Sequence, residues 1–131
     1  MARDVNFVTM TGRVMGPIDL RWTKGENPKP VADFKLVSNH KQLPQDHPDR
    51  LKYAVFLKVT LWGDDALYWS GQDEREILPL DKGDEVHVTG SLFSDDFTPN
   101  GSDTRTSGRV RIDHAEIKLL KRARSRTEDS E

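Results

Sequence analysis

The chain has 131 residues, with 22 acidic against 20 lysine and arginine side chains and a formal net charge of −2. That length suits one compact domain with its own core and is short for two. The lack of cysteine excludes a disulfide framework and thiolate metal ligation, and the slightly acidic balance means that any phosphate-attracting surface has to be local.

Residues 1–5 carry Arg3 and Asp4 and lead straight into a strand-like segment. No apolar run of signal-peptide or membrane-spanning length occurs there, so a soluble, intracellular protein is expected. In residues 5–14, Val8, Met10 and Val14 alternate with Thr9, Thr11 and Arg13, the period of a half-buried strand. Gly16-Pro17 breaks it. A short extended piece, 18–23, ends in the turn-forming stretch 24–28. The run 31–39 puts Ala32, Phe34 and Leu36 on one side and Asp33 and Lys35 on the other. Residues 40–50 are polar and aperiodic, with Pro44 and Pro48, and are expected to form a loop.

Residues 53–62 are the most informative. Tyr53, Val55, Leu57, Val59 and Leu61 form one face, and Ala54, Phe56, Lys58, Thr60 and Trp62 the other. Residues 64–71 predict a short helix with Asp64 or Asp65 as N-cap and Ala66, Leu67 and Trp69 as its apolar side. The next strand, 85–93, is expected to bury Val86, Val88 and Leu92. Residues 94–108, rich in Ser, Thr, Asp, Asn and Gly, read as a hairpin tip. The last strand, 109–120, carries Val110, Ile112, Ile117 and Leu119, and 121–131 reads as a short, disordered charged tail.

These elements fit an all-β, five-stranded Greek-key OB-fold barrel with one short helix between strands three and four, though periodicity alone also allows another small barrel. The motifs narrow the choice. NFVTMTGRV (6–14), LRWT (20–23), VADFKLVSN (31–39), VTLWG (59–63) and KGDEVHVTGSL (82–92) follow in this order, and together they resemble the bacterial-type single-stranded DNA-binding proteins over roughly residues 5–120. The resemblance implies an OB domain over 1–120, a homotetramer, and protection of single-stranded DNA in replication, repair or recombination. It also implies stacking aromatics at the positions of Phe56, Trp62 and Phe97, with Trp22 at a position usually aromatic and Arg21 beside it. The chain departs from the pattern near Gln42, where a further aromatic is missing. It departs again at Asp95-Asp96, which stand where basic residues are frequent. The tail end 127–131 is acidic but has no terminal aromatic or proline, so partner recruitment through it is not expected.

The mechanism also follows from the residues. Every base has a π-face, so a sequence-tolerant binder needs aromatic rings on a rigid sheet with cations along the phosphate path. Phe56 and Trp62 share one strand face with Lys58 between them, spanning roughly 20 Å. Arg13, Lys35, Lys41 and Arg105 are further basic candidates, each equally readable as solvated surface. A strand aromatic is more often core than platform, and Trp22 is evenly balanced. The aliphatic stripe opposite Phe56 and Trp62 leaves these two for binding or for a subunit interface, whereas Trp69 reads as packing. The four histidines lack ligand spacing, and no metal or cofactor is expected. The leading expectation is single-stranded DNA, with RNA second. An OB-fold assembly module that contacts proteins is the alternative, favoured by the net acidity. An enzyme is least favoured, because Asp64-Asp65 and Asp95-Asp96 fall in a helix cap and a loop tip without a nucleophile or general base beside them. A homodimer remains open beside the homotetramer. The expected setting is cytoplasmic, at a nucleoid or a phage or plasmid replication site.

Overall fold

The computed structural model describes residues 4–39, 46–48, 54–95 and 109–123. Six strands and one helix follow in chain order: β1 (Val8–Val14), β2 (Asp19–Trp22), β3 (Pro30–Asn39), β4 (Ala54–Trp62), α1 (Asp64–Trp69), β5 (Glu85–Ser94) and β6 (Val110–Lys121). The sheet order β1-β5-β6-β4-β3 closes on itself where β1 returns to β3 at Arg13–Val37 and Val14–Leu36. This makes a five-stranded barrel. β2 lies outside it, paired with β3 from Asp19–Asp33 to Trp22–Pro30. Gly16-Pro17 is the kink that lets β1 and β2 take successive stretches of the same β3 edge, as expected from the break there. The helix falls between the third and fourth barrel strands, so the OB architecture expected from the motifs is the one observed.

Alternation builds the core. Val14, Ala32, Phe34, Leu36, Val59, Leu61, Val86, Val88 and Ile112 point inward and are buried. On β1 the inward stripe passes through Gly12, where an added β-carbon would sit 2.4 Å from the Val37 carbonyl oxygen; the closing seam has no room for a side chain. α1 plugs one end of the barrel with Ala66 and Trp69, so Trp69 is packing. Its N-cap is Gly63 at φ 64, not Asp64 or Asp65. Both aspartates fall instead in the first turn, where they oppose the positive end of the helix.

Three expected core residues are exposed: Val55, Leu92 and Val110. Their phase is inward, but they lie at the end of the barrel away from α1, where no described element covers them. The tail boundary also moves. Lys121 ends β6, and Arg122 donates to the buried Asp84 carboxylate (Nη1 to Oδ2, 3.1 Å) and to the Leu78 and Pro79 carbonyls, while the Ala123 N–H reaches Asp84 Oδ1 at 2.9 Å. The rest of the tail lies outside the described residues, as do most of 40–50 and of 94–108.

β6 changes phase midway. Arg111 and Asp113 face out and Ile112 in, then Ala115, Ile117 and Leu119 take the inward positions. The shift is a bulge. Thr89 pairs with Glu116 but Ser91 with Asp113, so His114 and Ala115 together oppose Gly90. His114 has φ 50, and a β-carbon at Gly90 would sit 2.7 Å from Ile112 Cγ2.

Candidate nucleic-acid interface

Strand registers define the outer face. β3 and β4 pair Val37 with Phe56, Lys35 with Lys58, Asp33 with Thr60 and Val31 with Trp62, and β6 joins β4 at Lys58–Arg111. Directly paired residues share a face. Lys35, Lys58 and Arg111 therefore form a basic row across three strands, with Phe56 one step along β4. Phe56 is 51% exposed, and Leu57, Val59 and Leu61 turn inward from it. Thr60 keeps its place on the outer face but is buried there, and it donates its hydroxyl to Asp33 Oδ1 at 2.7 Å.

Asp33 also binds the Arg21 guanidinium through Oδ2 and lies 4.0 Å from Lys58 Nζ. One carboxylate thus offsets two of the predicted phosphate contacts. Lys35 has no ion-pair partner among the described residues. Arg111 lies between two acids, its Nη2 3.2 Å from Asp113 Oδ2 and its Nε 3.3 Å from Asp95 Oδ1. A groove of about 660 Å³ opens beside Phe56, Lys35, Lys58 and Arg111, with Asp95 on its rim. Asp95 therefore bears on the basic path, as its sequence position suggested.

Trp62 is half-buried and fixed in orientation. Its indole N–H donates to Asp113 Oδ1 at 2.7 Å, and the His114 ring stacks on it, centroids 5.9 Å apart at 22°. Asp113, itself buried, also accepts the His114 N–H at 2.7 Å. Tryptophan used in this way presents a held plane.

No protein-family model matches the sequence, and no curated protein does. Among solved structures, the SSB of Plasmodium falciparum, in complex with ssDNA, aligns with a TM-score of 0.65 and 17% identity, over 92% of this chain and 98% of the neighbour. The barrel shares its OB fold with that protein. At that identity the likeness establishes the fold and leaves the chemistry to the residues.

On this OB barrel the other predicted residues scatter. Trp22 is 54% exposed, but alternation sends it to the opposite side of β2 from Arg21, which shares the row of Val31 and Trp62. Arg13 reaches the outer surface across β3 from Phe56, with its Nε 3.7 Å from Glu85. Phe97, Lys41 and Arg105 lie outside the described residues, as does Gln42. Arg111, Phe93 and His114 on this face escaped the sequence reading, as did Arg109, which lines the groove. Phe93 pairs with Arg111 across β5 and β6, 40% exposed. Gly90 inside an otherwise regular strand was the available signal, since an interior glycine marks a bulge that re-aims its partners.

The acidic pair Asp64-Asp65 lies apart from the basic row, on α1. Burial raises the Asp65 carboxyl above its ordinary range, assisted by the charges of Glu116 and Asp64. Among the described residues no group of three or more His, Asp or Glu side chains is placed to hold a metal ion, and no helix is long and apolar enough to cross a membrane.

Proposed function

We propose that this face binds single-stranded nucleic acid without reading its sequence, with DNA the principal ligand and RNA the second. The observation that carries the reading is the Lys35–Lys58–Arg111 row crossing three strands beside the exposed Phe56 ring, with Trp62 held nearby by Asp113. Rings on a rigid sheet accept the π-face of any base, and the cations follow the phosphates. The shared fold with a protein solved bound to ssDNA supports the assignment. No chemistry is required of the chain beyond binding.

The finer proposal is a diverged relative of the bacterial-type single-stranded DNA-binding proteins, acting in the cytoplasm in replication, repair or recombination and assembled as a homotetramer. Assembly has a candidate edge. Over Val8–Gly12, β1 pairs with β5 on one side and has no strand on the other among the described residues. Light scattering tests this, with a mass near four times 15.0 kDa expected.

The deciding experiment titrates tryptophan fluorescence with oligo-dT against duplex of equal length. Quenching by the single strand alone is expected, and Phe56→Ala should weaken binding by about 1–3 kcal/mol while leaving stability within about 0.5 kcal/mol. Three phosphate contacts give a log–log salt slope of roughly −2. No quenching and no gel shift at low salt would sink the reading. A protein-assembly module would then stand in its place, since Asp33, Asp95 and Asp113 already offset much of the basic row.

A further inference from the structure

The stacking surface does not stop at β4. The His114 ring lies 5.9 Å from the Trp62 ring and 5.8 Å from the Phe93 ring, the second pair tilted by 59°. Both separations are those of interacting aromatic rings. Trp62, His114 and Phe93 therefore form a row across β4, β6 and β5, transverse to the line from Phe56 to Trp62. Along that row, exposure rises away from Trp62: the indole is half-buried, while His114 and Phe93 are exposed. The Arg111 guanidinium lies 5.7 Å from the Phe93 centroid and supplies a cation beside the rings.

His114 occupies its place against the preference of its own backbone. At φ 50 a β-carbon is disfavoured and glycine is the natural occupant. Backbone strain of this kind persists where the surroundings over-determine it, and it gathers at functional sites. Here the bulge turns two consecutive residues to the outer face. Asp113 lies buried beneath Trp62, and His114 lies exposed against the Trp62 ring.

We propose that His114 and Phe93 are nucleic-acid-binding residues that stack on bases of the bound single strand, carrying it from β4 across β6 onto β5. The proposal rests on the reading of this face as a single-strand interface, and the occupant follows from the same chemistry of open rings beside Arg111 and Lys58. Trp62, tied to Asp113 and covered on one face by His114, is the positioning residue that holds the row in plane.

The test uses the full chain and a dye-labelled oligo-dT of about 16 nucleotides, the upper site size of one OB fold. Anisotropy titrations are run beside thermal melts for wild type, Phe56→Ala, Phe93→Ala, His114→Gly and His114→Phe. Phe93→Ala and His114→Gly should each weaken binding by about 5- to 140-fold. His114→Gly should melt no lower than wild type, because glycine suits the backbone at that position. His114→Phe should bind like wild type. If wild type binds, Phe56→Ala weakens it, and neither Phe93→Ala nor His114→Gly does, the transverse row is refuted while the interface stands. A parallel fall in melting temperature and affinity for His114→Gly makes the ring a packing element and overturns the proposal. Failure of wild type itself to bind removes the interface and the row together.

Discussion

Asp84 and Asp113 are both buried carboxylates, each held by an arginine and a backbone N–H, yet they serve different parts of the barrel. The partners of Asp84 close the chain on itself. Arg122 and Ala123 tie the end of β6 to the turn before β5, and Arg122 also satisfies the Leu78 and Pro79 carbonyls. The partners of Asp113 lead outward. Arg111, Trp62 and His114 each keep accessible surface on the face proposed to meet nucleic acid. The same donor set can thus seal an architecture or orient a surface, and what decides is where the donors' other atoms end.

The largest effect expected from this contrast is at Asp84. Replacing it with alanine leaves Arg122 without its buried counter-charge, so Asp84→Ala should cost on the order of 3–5 kcal/mol in urea denaturation, while the folded fraction binds oligo-dT as before. Asp113→Ala sharpens the comparison by moving both readouts. The unpaired indole N–H and the loosened Arg111 should cost about 1–3 kcal/mol of stability, and affinity should fall as well. An affinity unchanged in Asp113→Ala would reduce the two carboxylates to one role. A smaller change is expected at the rim. Asp95→Asn removes the acid beside Arg111 without changing side-chain size, so single-strand affinity should rise, by about 1 kcal/mol or less, and its salt dependence should steepen.

A further arginine–carboxylate pair, on the α1–β5 connection, gives the lower bound. Hydrogen bonds from the Arg75 side chain and N–H hold the Asp73 carboxyl near a pKa of about 2, below its ordinary 3.8. The folded value is the depressed one. The contact therefore stabilises fully above the unfolded value and is lost as pH falls from about 4 through 2. A carbon-detected titration of Asp73 should give this midpoint, with the barrel signals unmoved at its onset.

Much of this could be read from single strands. Ala32, Phe34 and Leu36, and likewise Leu57, Val59 and Leu61, point inward because alternation is a local property, and Phe56 and Lys58 face out for the same reason. What a strand meets across the sheet is not local. Nothing in Arg21 or Lys58 announces that Asp33 will hold both, and nothing in Trp22 announces that it will turn away from Trp62. The phase change at His114 hid a ring of the outer face inside a strand counted as regular. Val55, Leu92 and Val110 kept their predicted phase yet lie where the barrel is uncovered, so apolar character alone did not bury them.

The barrel's seams differ in how firmly they are sewn. β3 and β4 are paired from Val31–Trp62 to Asn39–Ala54, whereas β4 and β6 run parallel and among the described residues meet at Lys58–Arg111 and Val59–Ile112. β1 and β3 likewise meet at two paired positions, Arg13–Val37 and Val14–Leu36. Breathing of the cylinder should therefore concentrate at these two short seams, of which the one between β4 and β6 lies beside the groove. Amide protons flanking that short parallel stitch should exchange through small local openings, while those of the β3–β4 ladder wait for global unfolding.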